Sequence, residues 1–230
     1  DYPQDIAYIS MLYKFARKYK IKHILNGGNY STECCREPEE WGGYLGVDTW
    51  LVNDIQRKFG KIKLKDFPLV DILIYKFIYK YIFGIRSEFL LNYVPYSREL
   101  AENTLMELYG CEKFQHKHHE SRFTRFYEDY WLPKKFGFDK RKAHFSSLIM
   151  TGQMTRDEAL ERLKSPELSK FFLEKEFEYV ADKLEFSREE FKEIFLGPNK
   201  TYQNYRNKRN IILLGAKISR FLGLEKRLFR

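Results

Sequence analysis

The chain is poor in cysteine, has no long uninterrupted apolar run, and over residues 206–230 has almost no acid. Three cysteines, Cys34, Cys35 and Cys111, cannot build a disulfide framework, and the adjacent pair bridges only with strain. No Cys-x-x-Cys pair is present for zinc. That usage fits a reducing compartment, and a cytoplasmic location is expected. No signal peptide opens the sequence. The most apolar stretch, Leu69 to Ile85, is broken by Asp71, Lys76 and Lys80, and so fails as a membrane span. There is no internal repeat and no low-complexity linker. An initiator methionine is also missing, and Asp1 stands almost against the first helical pattern, so a fragment or processed product is expected.

What is there is a globular balance: 230 residues, 43% hydrophobic and 32% charged, enough for one ordinary domain or a little more. The formal charge of +9 argues for a polyanionic partner, whether phosphate, nucleotide, nucleic acid or an anionic membrane face. Twenty Phe, 17 Tyr and 3 Trp speak of an aromatic core and of clefts lined with rings.

Ile6, Ile9, Tyr13 and Ala16 recur at helical spacing and predict an amphipathic helix over 5–20. Ile21, Ile24 and Leu25 make a short strand that ends at Asn26-Gly27-Gly28. Beyond it the pattern is mostly helical. Asp48 caps a helix through Phe59, stopped by Gly60; Asp66 and Pro68 open an aromatic segment ending near Gly84; Ser97 precedes a helix stopped by Gly110. Two capping boxes, Thr155 with Glu158 and Ser187 with Glu190, start helices that Pro166 and Gly197 end. The tail from Arg206 sets eight cations against the single acid Glu225, with Ile211, Ile212, Leu213, Leu214, Ile218 and Leu222 as its apolar side.

Three segments have the residues for chemistry. In the turn Asn26 to Glu33, Gly27 and Gly28 let a ligand approach the backbone, and Asn29, Thr32 and Glu33 offer polar groups to a nucleotide or its metal. A plain surface turn has the same composition. The second segment, Lys117-His118-His119-Glu120-Ser121 with Arg122 and Arg125, joins imidazoles and a carboxylate for proton transfer to cations for phosphate. A solvated charged turn is its bland counterpart; metal ligation is disfavoured because His118 and His119 point apart. The third is a helix face bearing Lys140, His144 and Ser147 at i, i+4 and i+7, next to Arg141, which suits a phosphorylated ligand or simply water.

With Pro3-Gln4-Asp5, Phe123-Thr124-Arg125-Phe126, Leu132-Pro133-Lys134-Lys135-Phe136, Asp139-Lys140-Arg141-Lys142-Ala143-His144 and Gly152-Gln153-Met154-Thr155-Arg156, these segments resemble, in order over about 3–205, the N-acetyl sugar amidotransferases. These are bacterial enzymes of surface polysaccharide biosynthesis in the PP-loop ATP pyrophosphatase superfamily. The resemblance implies an α/β fold of the adenine nucleotide alpha hydrolase-like, PP-loop type, here an incomplete sheet followed by a mostly helical region. It implies a division into 1–60 from the nucleotide-binding domain, 61–205 as a helical substrate and active-site region, and 206–230 as a basic amphipathic tail.

The chemistry so implied turns the N-acetyl group of a nucleotide-activated sugar into an acetamidino group. The amide oxygen attacks the α-phosphate of ATP, pyrophosphate leaves, and ammonia displaces AMP from the imidoyl adenylate. ATP and Mg2+ are the implied cofactors; a glutaminase and an ammonia-channel synthase subunit are the implied partners, and no nucleic acid is involved. Catalytic roles fall to Lys117, His118, His119, Glu120 and His144. Nucleotide contacts fall to Gly27, Gly28, Asn29, Thr32 and Glu33, and substrate contacts to Ser121, Arg125, Lys140, Arg141 and Ser147. The family's Ser-Gly-Gly-Lys-Asp-Ser phosphate loop is absent: neither Gly27-Gly28 nor Gly42-Gly43 is followed by Lys-Asp-Ser. This sequence therefore reads as the C-terminal portion of such an enzyme, and Cys111 to Gln115 also departs from the pattern. Two rivals stand beside that reading: a transfer-RNA-modifying relative, and a non-catalytic module held at the inner membrane face by the tail.

Overall fold

The computed structural model describes residues 2–41, 44, 47–72, 74–112, 121–165 and 170–223. It is mostly helical, with one two-stranded parallel sheet. The chain forms two compact units that interleave along the sequence: 1–26, 42–88 and 200–230 make the first, and 27–41 with 89–199 the second. The expected division at residues 60 and 205 is sequential instead. The interleaving arises because a parallel strand pair and a returning C-terminal helix draw on distant segments.

In the first unit, α1 (Tyr2–Lys18) buries Ile6, Ser10, Tyr13 and Ala16; of the stripe that helical spacing predicts, Ile9 is only half-buried against the core, and Ser10 on the neighbouring position is the buried one. Strand β1 (His23–Leu25) pairs in parallel with β2 (Arg86–Glu88), Ile24 opposite Ser87, and only Ile24 of β1 points into the core. α3 (Thr49–Phe59) starts at Asp48, whose Oδ1 accepts from the amides of Trp50 (2.8 Å) and Leu51 (3.3 Å). The aromatic segment is wider than an ordinary α-helix: Ile74–Ile82 is π-helical, with Tyr79 packed on Tyr13 at 5.1 Å. The unit closes with α10 (Arg209–Phe221), whose Ile212 packs on the same core.

Asp48 is wholly buried and ties these pieces together. Its Oδ2 accepts from the Tyr44 hydroxyl at 2.6 Å and from the Lys208 amide, and its own amide donates to the Tyr2 hydroxyl at 3.0 Å. Burial, with the Asp48 charge adding to it, pushes the Tyr2 phenol up to about 12.

The second unit holds α2 (Tyr30–Glu33), α4 (Arg98–Tyr109), α5 (Arg122–Phe126), α6 (Arg141–Met150), α7 (Arg156–Leu163), α8 (Lys170–Lys183) and α9 (Arg188–Leu196). Ser97 caps α4, Gly110 ends it in the left-handed conformation, and both capping boxes form as the sequence predicts. The core is aromatic: Phe126, Val180, Ala181 and Phe191 are buried, with Tyr130, Trp131, Phe177 and Phe186 packed on them. A second π-helical segment, Tyr127–Phe136, runs on from α5 with Pro133 inside it. It ends at Gly137 in the left-handed conformation, the Gly137 amide donating to Pro133 and the Phe138 amide to Leu132. Lys135 then reaches the exposed C-terminus of α9, donating to the carbonyls of Ile194 (3.0 Å), Phe195 (2.6 Å) and Gly197 (2.8 Å).

Candidate functional site

Within the second unit, α2 and the residues after it lie on α6. The joints are specific. The Ser31 carbonyl accepts from the Thr151 hydroxyl (2.7 Å) and from Gln153 Nε2 (2.8 Å). The Cys35 amide donates to Ser147 Oγ at 3.0 Å, while that hydroxyl donates to the Ala143 carbonyl at 3.1 Å. Ser147 is 1% exposed, so its hydroxyl holds the Cys34–Cys35 stretch on α6, and a substrate does not reach it. Burial pushes the Cys35 thiol up, and Cys34 beside it adds to this against the Ser147 hydrogen bond; Cys35 is a protonated, structural thiol at neutral pH.

Lys140 opens the same helix. Its Nζ lies 3.0 Å from Glu128 and 3.0 Å from Glu37, which bridges the π-helical segment to the loop after α2. Burial pulls the ammonium down, but the two carboxylates outweigh it and the net shift is upward. Lys140 is thus a firm cation at neutral pH, with a quarter of its side chain open to solvent. Tyr127 borders this cluster, its phenol pushed up by burial. Trp41 stacks on Phe138 at 5.3 Å, and Phe138 on Phe136 at 5.6 Å. One ammonium between two carboxylates leaves the trio with one net negative charge, so an anionic ligand reaches Lys140 only where a carboxylate gives way.

The structure therefore brings together two segments that sequence reading treated apart, the glycine turn and the Lys140–Ser147 face. It assigns several of their side chains to holding the fold. Asn29 caps α2, its Oδ1 accepting from the Thr32 amide (2.9 Å) and the Thr32 hydroxyl (3.1 Å), and its Nδ2 donates to the Gly27 carbonyl. The Tyr30 amide donates to Asn92 at 2.9 Å. At this helix start the Tyr30 and Thr32 amides therefore already have side-chain acceptors. Gly28 is half-buried and Glu33 is exposed. Arg141 grips Asp139 through Nε and Nη2 (2.9 and 2.7 Å) and donates Nη1 to the carbonyls of Arg162 and Ser165 at the end of α7. His144 is half-buried on α6, one turn from Lys140.

Ser121 caps α5, accepting from Thr124. Arg125 lies 3.6 Å from Glu176 and over the Phe172 ring at 4.5 Å. Glu176, 2% exposed, is clamped from its other side by Arg122 at 2.6 Å, whose guanidinium stacks on Tyr179. These arginines neutralise a buried acid. Lys117, His118, His119 and Glu120 lie outside the described residues.

Sequence reading missed Glu37, Glu128, Lys135 and Glu176. Glu176 had a signal: spacing puts it one turn before Val180, on the apolar face of α8, where a carboxylate needs a partner. Glu37 and Lys135 had none, because their partners are far away in sequence.

Residues 120–219 match the family model for the LPS biosynthesis protein WbpG-like, C-terminal domain. The match takes in Ser121, Arg125, Lys140, Arg141, His144 and Ser147 and leaves the glycine turn outside. No curated protein and no solved structure matches the chain.

Proposed function

The chain carries the C-terminal domain of the WbpG-like LPS biosynthesis family, and from that premise we propose that it is the substrate-handling part of an ATP-dependent amidotransferase acting on a nucleotide-activated N-acetyl sugar. In the reaction, ammonia nitrogen replaces the amide oxygen, which leaves on AMP as pyrophosphate departs, and an acetamidino group remains. A glutaminase partner supplies the ammonia. The observation that supports this reading is the Lys140 cluster, in which one cation meets two carboxylates: Lys140 and Glu128 lie within the family match, and Glu37 lies outside it. The family match also favours a sugar enzyme over a transfer-RNA-modifying relative.

Each part of the chain has a task in this reading. Lys140 holds the sugar nucleotide's diphosphate, and Glu37, the more exposed of its two carboxylate partners, gives way to it. Lys117, His119 and Glu120 manage protons as ammonia adds, together with His144. In this reading the turn at 27–33 contacts the nucleotide through Gly27, Gly28 and Glu33, because Asn29 and Thr32 already bond to each other.

Nuclear magnetic resonance titration of the 230-residue chain with a uridine diphosphate N-acetylhexosamine tests the sugar-binding half directly. The expected result is saturable perturbation around Lys140 and Trp41, weakened about tenfold or more in Lys140→Gln with the fold checked by thermal melting. A chain that leaves the nucleotide sugar unbound, or binds it equally well in the variant, overturns the reading.

A further inference from the structure

We propose that the outward face of α10 docks on an anionic lipid surface. The helix has two apolar faces and uses one of them: Ile212 joins the core of the first unit, and Ala216 and Ser219 are buried. Its other face is built as regularly. Ile211, Leu214, Ile218, Phe221 and Leu222 recur at i, i+3, i+7, i+10 and i+11, which at about 100° per residue is one sector about 100° wide, away from the buried one. All five are exposed, Phe221 by 90%. An ordered apolar stripe in water is the mark of a docking surface.

Charge decides what docks there. Arg209, Lys217 and Arg220 line one flank of the stripe, and residues 209–223 contain no Asp or Glu. An apolar sector flanked on one side by cations, on a helix without acids, is the build of a helix lying in the plane of a membrane interface. The large side chains enter the acyl boundary while the lysine and arginine stems reach back to lipid phosphates. A nucleic acid backbone would satisfy the cations and leave the five apolar side chains in water. A second copy of the chain would cover the apolar side chains but bring the same cations face to face. A lipid surface with acidic headgroups satisfies both. The contact is peripheral, since no helix among the described residues is long and apolar enough to cross a bilayer.

The test is flotation of the 230-residue chain with vesicles of phosphatidylcholine alone and of phosphatidylcholine carrying about a third phosphatidylglycerol. The expected outcome is flotation with the anionic vesicles only, reduced by raised salt. Leu214→Glu with Ile218→Glu, and separately Lys217→Glu with Arg220→Glu, each lower partitioning about tenfold or more. These positions are exposed, and unchanged circular dichroism and melting of both pairs confirm that the fold is kept. Three outcomes overturn the proposal: wild-type chain that stays with the buffer, binding unaltered in both variant pairs, or a dimer in light scattering that Leu214→Glu with Ile218→Glu splits while vesicle binding is absent. None of these readouts depends on the amidotransferase chemistry, so failure here leaves that reading standing.

Discussion

Asp48 is fully buried, and its two oxygens accept from the amides of Trp50 and Leu51, the Tyr44 hydroxyl and the Lys208 amide. Each hydrogen bond to a charged group contributes about 1.5–3 kcal/mol, and the donors left behind by a truncation stay desolvated. Asp48→Ala is therefore expected to destabilise the protein by about 3 kcal/mol or more, read as a lowered urea midpoint, with Asp48→Asn less affected because one oxygen survives. A loss under about 1 kcal/mol in Asp48→Ala would mean that water replaces the hub. A different kind of residue effect is expected at the His-rich motif. In the enzyme supplied with its phosphate loop, Lys117→Ala and Glu120→Gln each lower turnover about a hundredfold or more if they stabilise charge or move protons. Wild-type kinetics in both would reduce the motif to a solvated turn.

Among the elements, the π-helical segment Tyr127–Phe136 does most to arrange the second unit. Pro133 has no amide to donate, and the wider helix accommodates it while Tyr130 and Trp131 pack into the aromatic core and Glu128 meets Lys140. Its last turn presents Lys135 to three carbonyls at the end of α9. Lys135→Met keeps the aliphatic stem and removes that cap, so a loss of about 1–3 kcal/mol is expected in urea unfolding, with hydrogen exchange rising first in the last turn of α9. Uniform exchange across the unit would show that α9 does not need the cap. Cap residues announced these helices well: Asp48, Ser97, Thr155 and Ser187 each start one, and Gly60, Gly110 and Gly197 each end one. The π-helical widening had no such marker, because no cap residue announces it.

For the molecule as a whole, acid stability turns on pairs such as Asp54. Lys58 beside it, then the Arg206 amide and Arg57, hold its carboxyl well below the ordinary range against the opposing effect of burial. A carboxylate whose pKa is depressed in the folded state stabilises the fold above its unfolded pKa, and that contribution is lost as pH falls toward the folded value. Stability should thus drop below about pH 4, and Asp54→Asn should flatten that acid limb in thermal melts; an unchanged limb would remove Asp54 from it. On function, the 230-residue chain alone is expected to release no appreciable AMP or pyrophosphate from ATP with sugar and ammonia present. It contains no Ser-Gly-Gly-Lys-Asp-Ser stretch, and the Tyr30 and Thr32 amides of α2 already have acceptors. Robust release by purified chain would show that another segment cradles the phosphates.

The sequence by itself determined the capped helices, three of the four buried positions of α1 and the short strand before Gly27, because these depend on backbone preferences and periodicities within a few residues. It also marked Lys140 and His144 as one helix face. Only the tertiary structure decided that the strand at 23–25 pairs with one some sixty residues later, and that Glu37 and Glu128 meet at Lys140. It likewise decided that Ser147 is buried, that Arg141 is tied to Asp139 and α7, and that one side of α10 packs on the core while the other faces outward. These are long-range pairings, and the free energy that selects among them comes from burial and charge complementarity across segments, which no local pattern encodes.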